Sequence, residues 1–392
     1  MKMVRTGSLF VVSAALLAVS SPACAQSDIQ QSDIHRTALH DYRVVTVADG
    51  FVVPWSMAFL PDGDILVTER GGTLRIVRDG MLLSDPVPGI PEVVARGQGG
   101  LLEVLPHPDF ATNRLIYISY SKATGNSPGG TTMVIRGTFE NDRFTMTDEI
   151  FEAVSEGNGH YGCKLAFDDE GYLFLTVGDR QARPAGNLAA HPAQDISNHH
   201  GVIVRLHDDG RIPDDNPFVG QAGARPEIFS YGHRNPQGLA IQPGTGAVWS
   251  TEHGPQGGDE VNVSTPGANY GWPVIGYGVN YRSGSAIHEA THMEGMEQPQ
   301  HIWVPSIGAS GLAFYTGDKF PEWQGNLLAG GLAGQRIDRL TVEDGRVVAS
   351  ETILQGMGRV RDVRQGPDGF IYVALEARGD GETPIVRLEP VG

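Results

Sequence analysis

One histidine of the sequence stands in a glycine-rich turn instead of on an apolar face. His160 lies in the segment EGNGHYG, and a strand-like run from Leu165 ends at Asp179 in the segment VGDR. An imidazole has an ordinary pKa of about 6.5, so His160 can act as a general base. The Asp179 carboxylate can orient its ring and stabilise the imidazolium. The alternative is a loop histidine whose ring is satisfied by a backbone carbonyl.

A second group of polar residues precedes a strand in the segment YGHRNPQGLA. Arg234 presents a planar fork of donors to a carbonyl or carboxylate, and Asn235 follows it directly. Pro236 fixes the backbone of this turn, and Gly238 permits a close approach. Ordinary turn chemistry explains the glycine and the proline. It does not explain three adjacent polar donors, of which His233 is the first.

Two further segments offer groups that bind ions. In the loop TEHGPQGGDE, Gly254 and Pro255 limit strand pairing, so its backbone carbonyls are expected to face outward. Carbonyls and carboxylates together form a hard-oxygen site that suits Ca²⁺, although the loop lacks the EF-hand pattern. In the segment GRVRDV, Arg359 and Arg361 alternate along a strand, so both lie on one face and can bind an anion. A solvated edge strand explains the same alternation.

The elements that must position these residues are short strands. The 392-residue chain contains 52 Gly and 25 Pro, and its apolar runs are separated by D-G, G-G and P-D-G turns, which is typical of β-sheet. One sequence pattern, an apolar pair followed by a turn and an alternating strand, occurs six times, starting at Met57, Leu102, Leu165, Leu239, Leu312 and Val363. Six repeats predict an all-β fold, a six-bladed β-propeller of four-stranded antiparallel blades.

Further features agree with this architecture. The segment YRVVTVADG, residues 42–50, is expected to pair with TPIVRLEP near the C-terminus and close the ring. Gln98 lies between glycines in a loop equivalent to that of His160, so loops from several blades converge on one axis. The long stretches 178–202 and 271–305 are interpreted as functional loops, with simple surface decoration as the alternative.

Charge and the N-terminal segment limit the classes of function. The net charge of −17 argues against a nucleic-acid partner. Residues 1–25 have the form of a secretory signal, which predicts a periplasmic or secreted protein with a flexible extension at 26–41 and a catalytic propeller at 42–392. Lipidation at Cys24 is an alternative. No later segment is apolar enough for membrane insertion, and Cys163 alone cannot form an intramolecular disulfide.

The set of motifs resembles a known family. The segments GQGGLLEVLPHPDF, GHYGCKLAFDDEGYLFLTVGD, IPDDNPF, YGHRNPQGLA, TEHGPQGGDEVN, GANYGWP and RVRDV are similar, in order, to the soluble PQQ-dependent aldose sugar dehydrogenases of the glucose/sorbosone dehydrogenase family. The resemblance runs from about Val45 to Leu388. It implies a six-bladed propeller that holds pyrroloquinoline quinone (PQQ) and Ca²⁺ in its central depression. The implied reaction oxidises the C1 hydroxyl of a small-molecule aldose to a lactone by hydride transfer to PQQ, and an unidentified acceptor takes the electrons.

The resemblance also implies roles for individual residues. His160 matches the catalytic base, Asp179 its carboxylate partner, and Arg234 the cation at the reducible quinone oxygen. The implied cofactor contacts are Gln98, Arg234, Asn235, Arg359 and Arg361. The implied calcium ligands are the carbonyls of Gly254 and Pro255, with Glu260 and the Tyr270 carbonyl at a second, structural calcium.

Three departures from the family pattern affect this assignment. Relatives often place a lysine where this chain has Ala333, so Gln335 or Arg336 is expected to supply the missing cofactor contact. The segment PSIGASG, residues 305–311, lacks a proline of the family pattern. Cys163, three residues after His160, is interpreted as a small packing residue, with redox sensitivity as the alternative.

Two other functions fit part of the pattern. A propeller lactonase or related calcium hydrolase also sets a histidine over a central Ca²⁺, but it would hold the metal mainly with Asp, Glu and Asn side chains. A non-catalytic PQQ-binding propeller would keep much of this sequence, and the departure at Ala333 leaves that alternative open.

Overall fold

The structure of the protein is a computed structural model that describes Met1 and residues 34–125, 129–379 and 381–391. From residue 2 onward, the predicted signal segment lies outside the described residues. Helix is scarce in the described part of the chain: one α-helix, α1, spans Phe110–Asn113, and short 3₁₀ helices span Leu188–Ala190, Pro192–Gln194 and Pro321–Trp323. No helix there is long and apolar enough to cross a membrane.

The described residues form six antiparallel sheets, numbered here as blades. Strands β1 (Ile34–Arg36) and β2 (Asp41–Val52) precede the first blade. Blade 1 contains β3 (Pro54–Phe59), β4 (Ile65–Glu69), β5 (Thr73–Arg78) and β6 (Met81–Leu82). Blade 2 contains β7 (Leu101–Pro106), β8 (Leu115–Ala123), β9 (Gly130–Glu140) and β10 (Arg143–Glu152). Blade 3 contains β11 (Leu165–Phe167), β12 (Leu173–Val177), β13 (Val202–Leu206) and β14 (Ile228–Tyr231).

The remaining blades follow the same order. Blade 4 contains β15 (Pro236–Ile241), β16 (Val248–Glu252), β17 (Asp259–Ser264) and β18 (His301–Trp303). Blade 5 contains β19 (Ala309–Phe314), β20 (Leu327–Gly331), β21 (Arg336–Glu343) and β22 (Arg346–Gln355). Blade 6 contains β23 (Arg359–Gln365), β24 (Ile371–Glu376) and β25 (Glu382–Pro390), to which β2 and then β1 are added. The six-bladed propeller is therefore confirmed.

The first strands of the six blades surround one axis. Each of β3, β7, β11, β15 and β19 contacts the first strand of the next blade, and β23 contacts β3 to complete the ring. The second strands lie between sheet neighbours and between adjacent blades, so they are buried on both faces. Every residue of β4, β12, β16 and β20 is buried. The apolar runs of the sequence are these strands.

The ring closes through residues from both ends of the described chain. Strand β2 pairs antiparallel with β25, from Tyr42 opposite Pro390 to Val52 opposite Glu382. This pairing confirms the predicted closure. Blade 6 also has a fifth strand, because β1 pairs with β2. Residues 34–36, which the sequence analysis placed in the flexible extension at 26–41, are thus part of this sheet.

A buried network of charges links three blades beside the axis. The Lys164 Nζ lies 2.8 Å from a Glu103 oxygen and 2.9 Å from an Asp362 oxygen. Arg364 contacts the same two carboxylates, one of them at 2.9 Å. Because two cations face two anions, the charges compensate one another in a region closed to water. The network therefore ties the inner strands of blades 2, 3 and 6 together.

The Lys164→Met substitution tests this network. It removes one cation and leaves the buried Glu103 and Asp362 carboxylates with Arg364 alone, so the free energy of unfolding in urea should fall by about 3–5 kcal/mol. A matched Lys122→Met variant breaks an exposed pair with Glu152, 2.8 Å apart, and should cost less than about 1 kcal/mol. Equal losses in the two variants would contradict the role assigned to the buried network.

Candidate active site

The predicted site residues lie at one end of the ring because of the strand order within each blade. In an antiparallel blade, the start of the first strand and the end of the second strand meet at the same end of the sheet. Gln98, His160 and Arg234 each precede a first strand, and Asp179 follows the second strand β12. The carbonyl donors Gly254 and Pro255 follow β16, and Arg359 begins β23.

His160 and Asp179 form a short, buried contact. The distance between His160 Nδ1 and Asp179 Oδ1 is 2.5 Å, and the side chains are 8% and 1% exposed. A carboxylate beside Nδ1 favours the His160 tautomer in which the ring proton is on Nδ1. The Nε2 atom is then a free acceptor, and His160 lines the cavity described below. The geometry thus offers a neutral base with a fixed ring.

The other oxygen of Asp179 is also bound. The indole Nε1 of Trp272 donates to Asp179 Oδ2 over 2.7 Å, and the backbone N–H of Gln181 donates to Oδ1 over 2.9 Å. Burial raises the pKa of Asp179, but His160, Arg234 and the hydrogen bond from the Gln181 N–H together lower it below its ordinary value. Asp179 therefore remains ionised.

The backbone at His160 is held in the left-handed region, with φ at 47°. Such a conformation is unfavourable for a residue with a side chain, and it persists where neighbours fix it. Gln98 Oε1 accepts from the His160 N–H over 2.7 Å, and the buried Arg180 donates to the His160 carbonyl over 2.8 Å. These two contacts hold the backbone on both sides of the imidazole.

The pKa of His160 lies below its ordinary value. Burial is the largest cause and lowers it, the Asp179 carboxylate raises it, and the nearby Arg234 guanidinium lowers it further. The imidazole is consequently neutral at pH 7, as a base must be before it accepts a proton.

Arg234 and Asn235 extend the site toward blade 4. Arg234 Nη1 donates to the Gly254 carbonyl over 2.7 Å, and its guanidinium carbon lies 5.2 Å from the centre of the Trp272 ring. Asn235 is buried, and its side-chain oxygen accepts from the Gly162 N–H over 3.2 Å. No ion pair joins Arg234 to a carboxylate in the described ranges, so its charge is available to a ligand.

A wide cavity of about 410 Å³ opens over His160. The two long loops that the sequence singled out both contribute to its walls: Gln181, Ala182 and Pro184 come from the first, and Trp272, Tyr281 and Ile287 from the second. Tyr281 is 61% exposed at this position. Apart from the polar groups around His160, these walls carry little charge, which suits a neutral polar ligand.

A narrower cavity of about 170 Å³ shares Gln98 with the wide one. It brings together three predicted residues, Asn235, Arg359 and Arg361. Both of these arginines contact Glu376, at 3.2 Å and 2.6 Å. Burial raises the pKa of Glu376, but the two guanidiniums more than offset that effect and keep it ionised.

The predicted metal ligands lie beside these cavities. Pro255 lines the wide cavity, and Gly254 and Pro255 line a small one of about 20 Å³ together with Glu252, Glu260 and Tyr270. Burial and the nearby Glu252 carboxylate raise the pKa of Glu260 well above its ordinary value. A space large enough for one water or ion beside the buried Glu252 carboxylate and the partly buried Glu260 carboxylate fits a cation.

The structure does not bring Arg336 into either cavity, contrary to the expected cofactor contact. Arg336 and Asp338 lie two residues apart on one face of β21, and the guanidinium lies 2.8 Å from the Asp338 carboxylate. Gln335 also lies outside both cavities, and Leu332 is the residue from this hairpin that lines the narrow one. Ala333 therefore has no replacement within its own hairpin.

Cys163 is fully buried behind His160. Burial raises the pKa of its thiol to about 11, and the sulfur contacts the Thr132 hydroxyl at 3.5 Å. A protonated thiol closed to solvent agrees with the packing interpretation.

Sequence reasoning missed several residues of the site. Trp272 was quoted within GANYGWP without a role, although a buried indole needs an acceptor for its N–H. His253 lines both cavities, its Nε2 has no hydrogen-bond partner in the described ranges, and burial lowers its pKa to about 4. Glu376 and Arg70 line the narrow cavity. His253 could have been found from its place in the loop TEHGP, and Arg70 from its place directly before two glycines, Gly71 and Gly72.

Comparison with known proteins supplies the family. The Glucose / Sorbosone dehydrogenase family model matches residues 51–387. The chain belongs to the glucose/sorbosone dehydrogenase family. It is 46% identical to the aldose sugar dehydrogenase YliI of Escherichia coli K12 over 346 residues, covering 86% of this chain and 90% of YliI. The chain is therefore a sugar dehydrogenase.

Solved structures agree with this family membership. A crystal structure of a glucose dehydrogenase shares 46% identity and a TM-score of 0.82, covering 89% of this chain and 99% of that one. The PQQ-bound aldose sugar dehydrogenase of Streptomyces coelicolor shares 27% identity and a TM-score of 0.70, covering 89% and 98%. The ring of six blades is thus common to these sugar dehydrogenases.

The Asp179→Asn substitution tests the pairing with His160. The wild-type kcat/KM for sugar should rise with pH through a pKa below 6.5 and stay level above it, because the His160 base is then neutral. Loss of the carboxylate removes the interaction that raises the His160 pKa, so the rising limb of the kcat/KM profile should move to lower pH. The plateau should fall by about 10²–10⁴-fold because the ring is no longer oriented.

The exposed Asp318 offers a matched control, since its side chain is 78% exposed. Asp318→Asn should leave the pH profile unchanged. A limb that moves to higher pH in Asp179→Asn, or an unchanged plateau, would contradict the pairing.

Proposed function

We propose that this chain is an exported quinoprotein that oxidises the C1 hydroxyl of aldose sugars to lactones, with PQQ as cofactor and Ca²⁺ as its metal. Electrons pass to an external acceptor. The observation that carries the proposal is the position of the His160–Asp179 pair, which opens on a wide cavity with little charge beyond Asp179 and Arg234, beside a narrow cavity rich in arginine. One cavity suits a sugar and the other a polyanionic cofactor.

The narrow cavity fits PQQ by its charge and its walls. Three arginines face a single glutamate there, and the apolar side chains of Trp55, Leu102 and Leu332 complete the lining. Such a lining suits a flat aromatic molecule that carries three carboxylates. When bound, PQQ would supply the hydride acceptor for the sugar. Asn235, which lines this cavity, would offer a polar donor to its oxygens.

The protein's own residues would manage the proton and the charge. His160 Nε2 would take the proton of the C1 hydroxyl, while Nδ1 keeps its proton toward Asp179. The Asp179 carboxylate would then face an imidazolium 2.5 Å away and stabilise it. Arg234, which forms no ion pair in the described part of the chain, would stabilise negative charge that develops beside it.

Calcium has two candidate positions. The Gly254 and Pro255 carbonyls have the hard-oxygen chemistry that Ca²⁺ requires, and the Gly254 oxygen keeps a second lone pair beside its bond to Arg234. The carboxylate of Glu260, with its raised pKa beside Glu252, supports a structural calcium there together with Tyr270. A bound cation would offset the repulsion between the two glutamates.

A lactonase fits less well. Such an enzyme would hold its metal mainly with Asp, Glu and Asn side chains, whereas this chain offers the Gly254 and Pro255 carbonyls beside a cavity rich in arginine. A non-catalytic propeller would need no buried Asp179 to orient His160. Export is supported by the form of residues 1–25.

The His160→Gln substitution tests the proposed role of the base. The neutral amide keeps a side chain of similar size but cannot accept the proton, so turnover at saturating sugar should fall by about 10²–10⁴-fold. The affinity for PQQ, measured by quenching of tryptophan fluorescence, should remain unchanged. The control is His292→Gln, because His292 is exposed outside the wide cavity.

Turnover that survives in His160→Gln would remove His160 from the role of base. A loss of PQQ affinity equal to the loss of turnover would instead assign His160 to cofactor binding.

A further inference from the structure

Arg70 follows β4 and lines the narrow cavity, although the sequence analysis gave it no role. We propose that Arg70 binds a carboxylate of PQQ and supplies the narrow cavity with a positive charge that blade 5 does not provide. This role rests on the proposed function, because it assumes that PQQ occupies the narrow cavity.

Blade 5 gives the narrow cavity no cation. Leu332 lines it from the hairpin after β20, whereas Ala333, Gln335 and Arg336 do not. Arg336 pairs with Asp338, whose carboxylate also accepts from the Trp303 indole over 2.8 Å. This guanidinium is therefore engaged with a buried carboxylate, and positive charge beyond Arg359 and Arg361 comes from a different blade.

The charge of Arg70 is not neutralised by its neighbours. Its Nη1 donates to the Gly97 carbonyl over 3.1 Å, and no ion pair joins it to a carboxylate in the described ranges. The preceding Glu69 is engaged elsewhere: it accepts from the Val52 N–H over 2.8 Å and contacts Arg75 at 3.3 Å. Arg70 therefore presents a full positive charge and a free fork of donors.

The absence of a side chain at Gly100 leaves room for the Arg70 side chain. A Cβ at position 100 would lie 2.6 Å from Arg70 Cγ and 1.9 Å from the Arg70 carbonyl oxygen. The φ of Gly100 is also +149°, which side chains rarely adopt. Glycine at this position lets the side-chain stem of Arg70 pass directly over the backbone of blade 2.

The charge balance of the cavity favours an anionic ligand with several carboxylates. Arg359 and Arg361 share the Glu376 carboxylate, so together they offer about one net positive charge. Arg70 adds a second charge from blade 1, which is the neighbour of blade 6 in the ring. A neutral sugar would gain little from this excess, whereas a tricarboxylate can contact Arg70 and the blade 6 arginines together.

The experiment measures PQQ binding directly. The chain and its variants are titrated with PQQ in the presence of Ca²⁺, and tryptophan fluorescence gives Kd. Arg70→Gln should raise Kd by about ten- to hundredfold, as expected for the loss of a charge-assisted contact. Arg361→Ala, which removes another arginine of the lining, should also raise it. Arg211→Gln is the matched control, because the Arg211 side chain is 72% exposed outside the narrow cavity, and it should leave Kd unchanged.

Two results separate this proposal from the proposed function. If the wild-type chain binds PQQ and Arg70→Gln binds it equally well, Arg70 has no part in the cofactor site and the proposal is overturned. If the wild-type chain binds no PQQ, the proposed function itself fails, and the role of Arg70 fails with it.

A second variant covers a loss of folding. Should Arg70→Gln not fold, Arg70→Met decides in its place, because methionine keeps an apolar stem and removes both the charge and the planar fork. A tenfold or larger rise in its Kd would support the proposal, and an unchanged Kd would overturn it.

Discussion

The pairing of β2 with β25 is the constraint on which the site depends. It joins strands from opposite ends of the described chain and so completes the contact between β23 and β3. Only in a closed ring do the starts of all six first strands face one axis. The site has no segment of its own, since His160 comes from blade 3, Arg234 from blade 4 and Arg361 from blade 6.

Charge is distributed unevenly around this axis, and the distribution separates two kinds of ligand. Deep in the ring, Lys164 and Arg364 are compensated by two buried carboxylates, so this network holds blades together without attracting a ligand. In the narrow cavity, arginines outnumber the single Glu376. Over His160 the walls are largely uncharged. The same fold thus places an anion site and a neutral sugar site side by side.

Much of the fold and part of the site could be predicted from the sequence. The repeated turn and strand pattern predicted six blades, and the glycines around His160 indicated a turn before a strand, which is β11 in the structure. Contacts between distant loops could not be read in this way. Trp272 reaches Asp179 across 93 positions, and Arg70 enters the cavity from blade 1. Arg336 was misplaced because the β21 register directs it to Asp338.

The most direct test of the account is reconstitution. The chain without residues 1–25 is treated with chelator, and PQQ and Ca²⁺ are then added separately and together while an aldose panel reduces an artificial dye. The account predicts dye reduction only when both are present. No reduction by any aldose with both present, although PQQ binds, would contradict the proposed oxidation; hydrolysis of a lactone under the same conditions would favour the hydrolase instead.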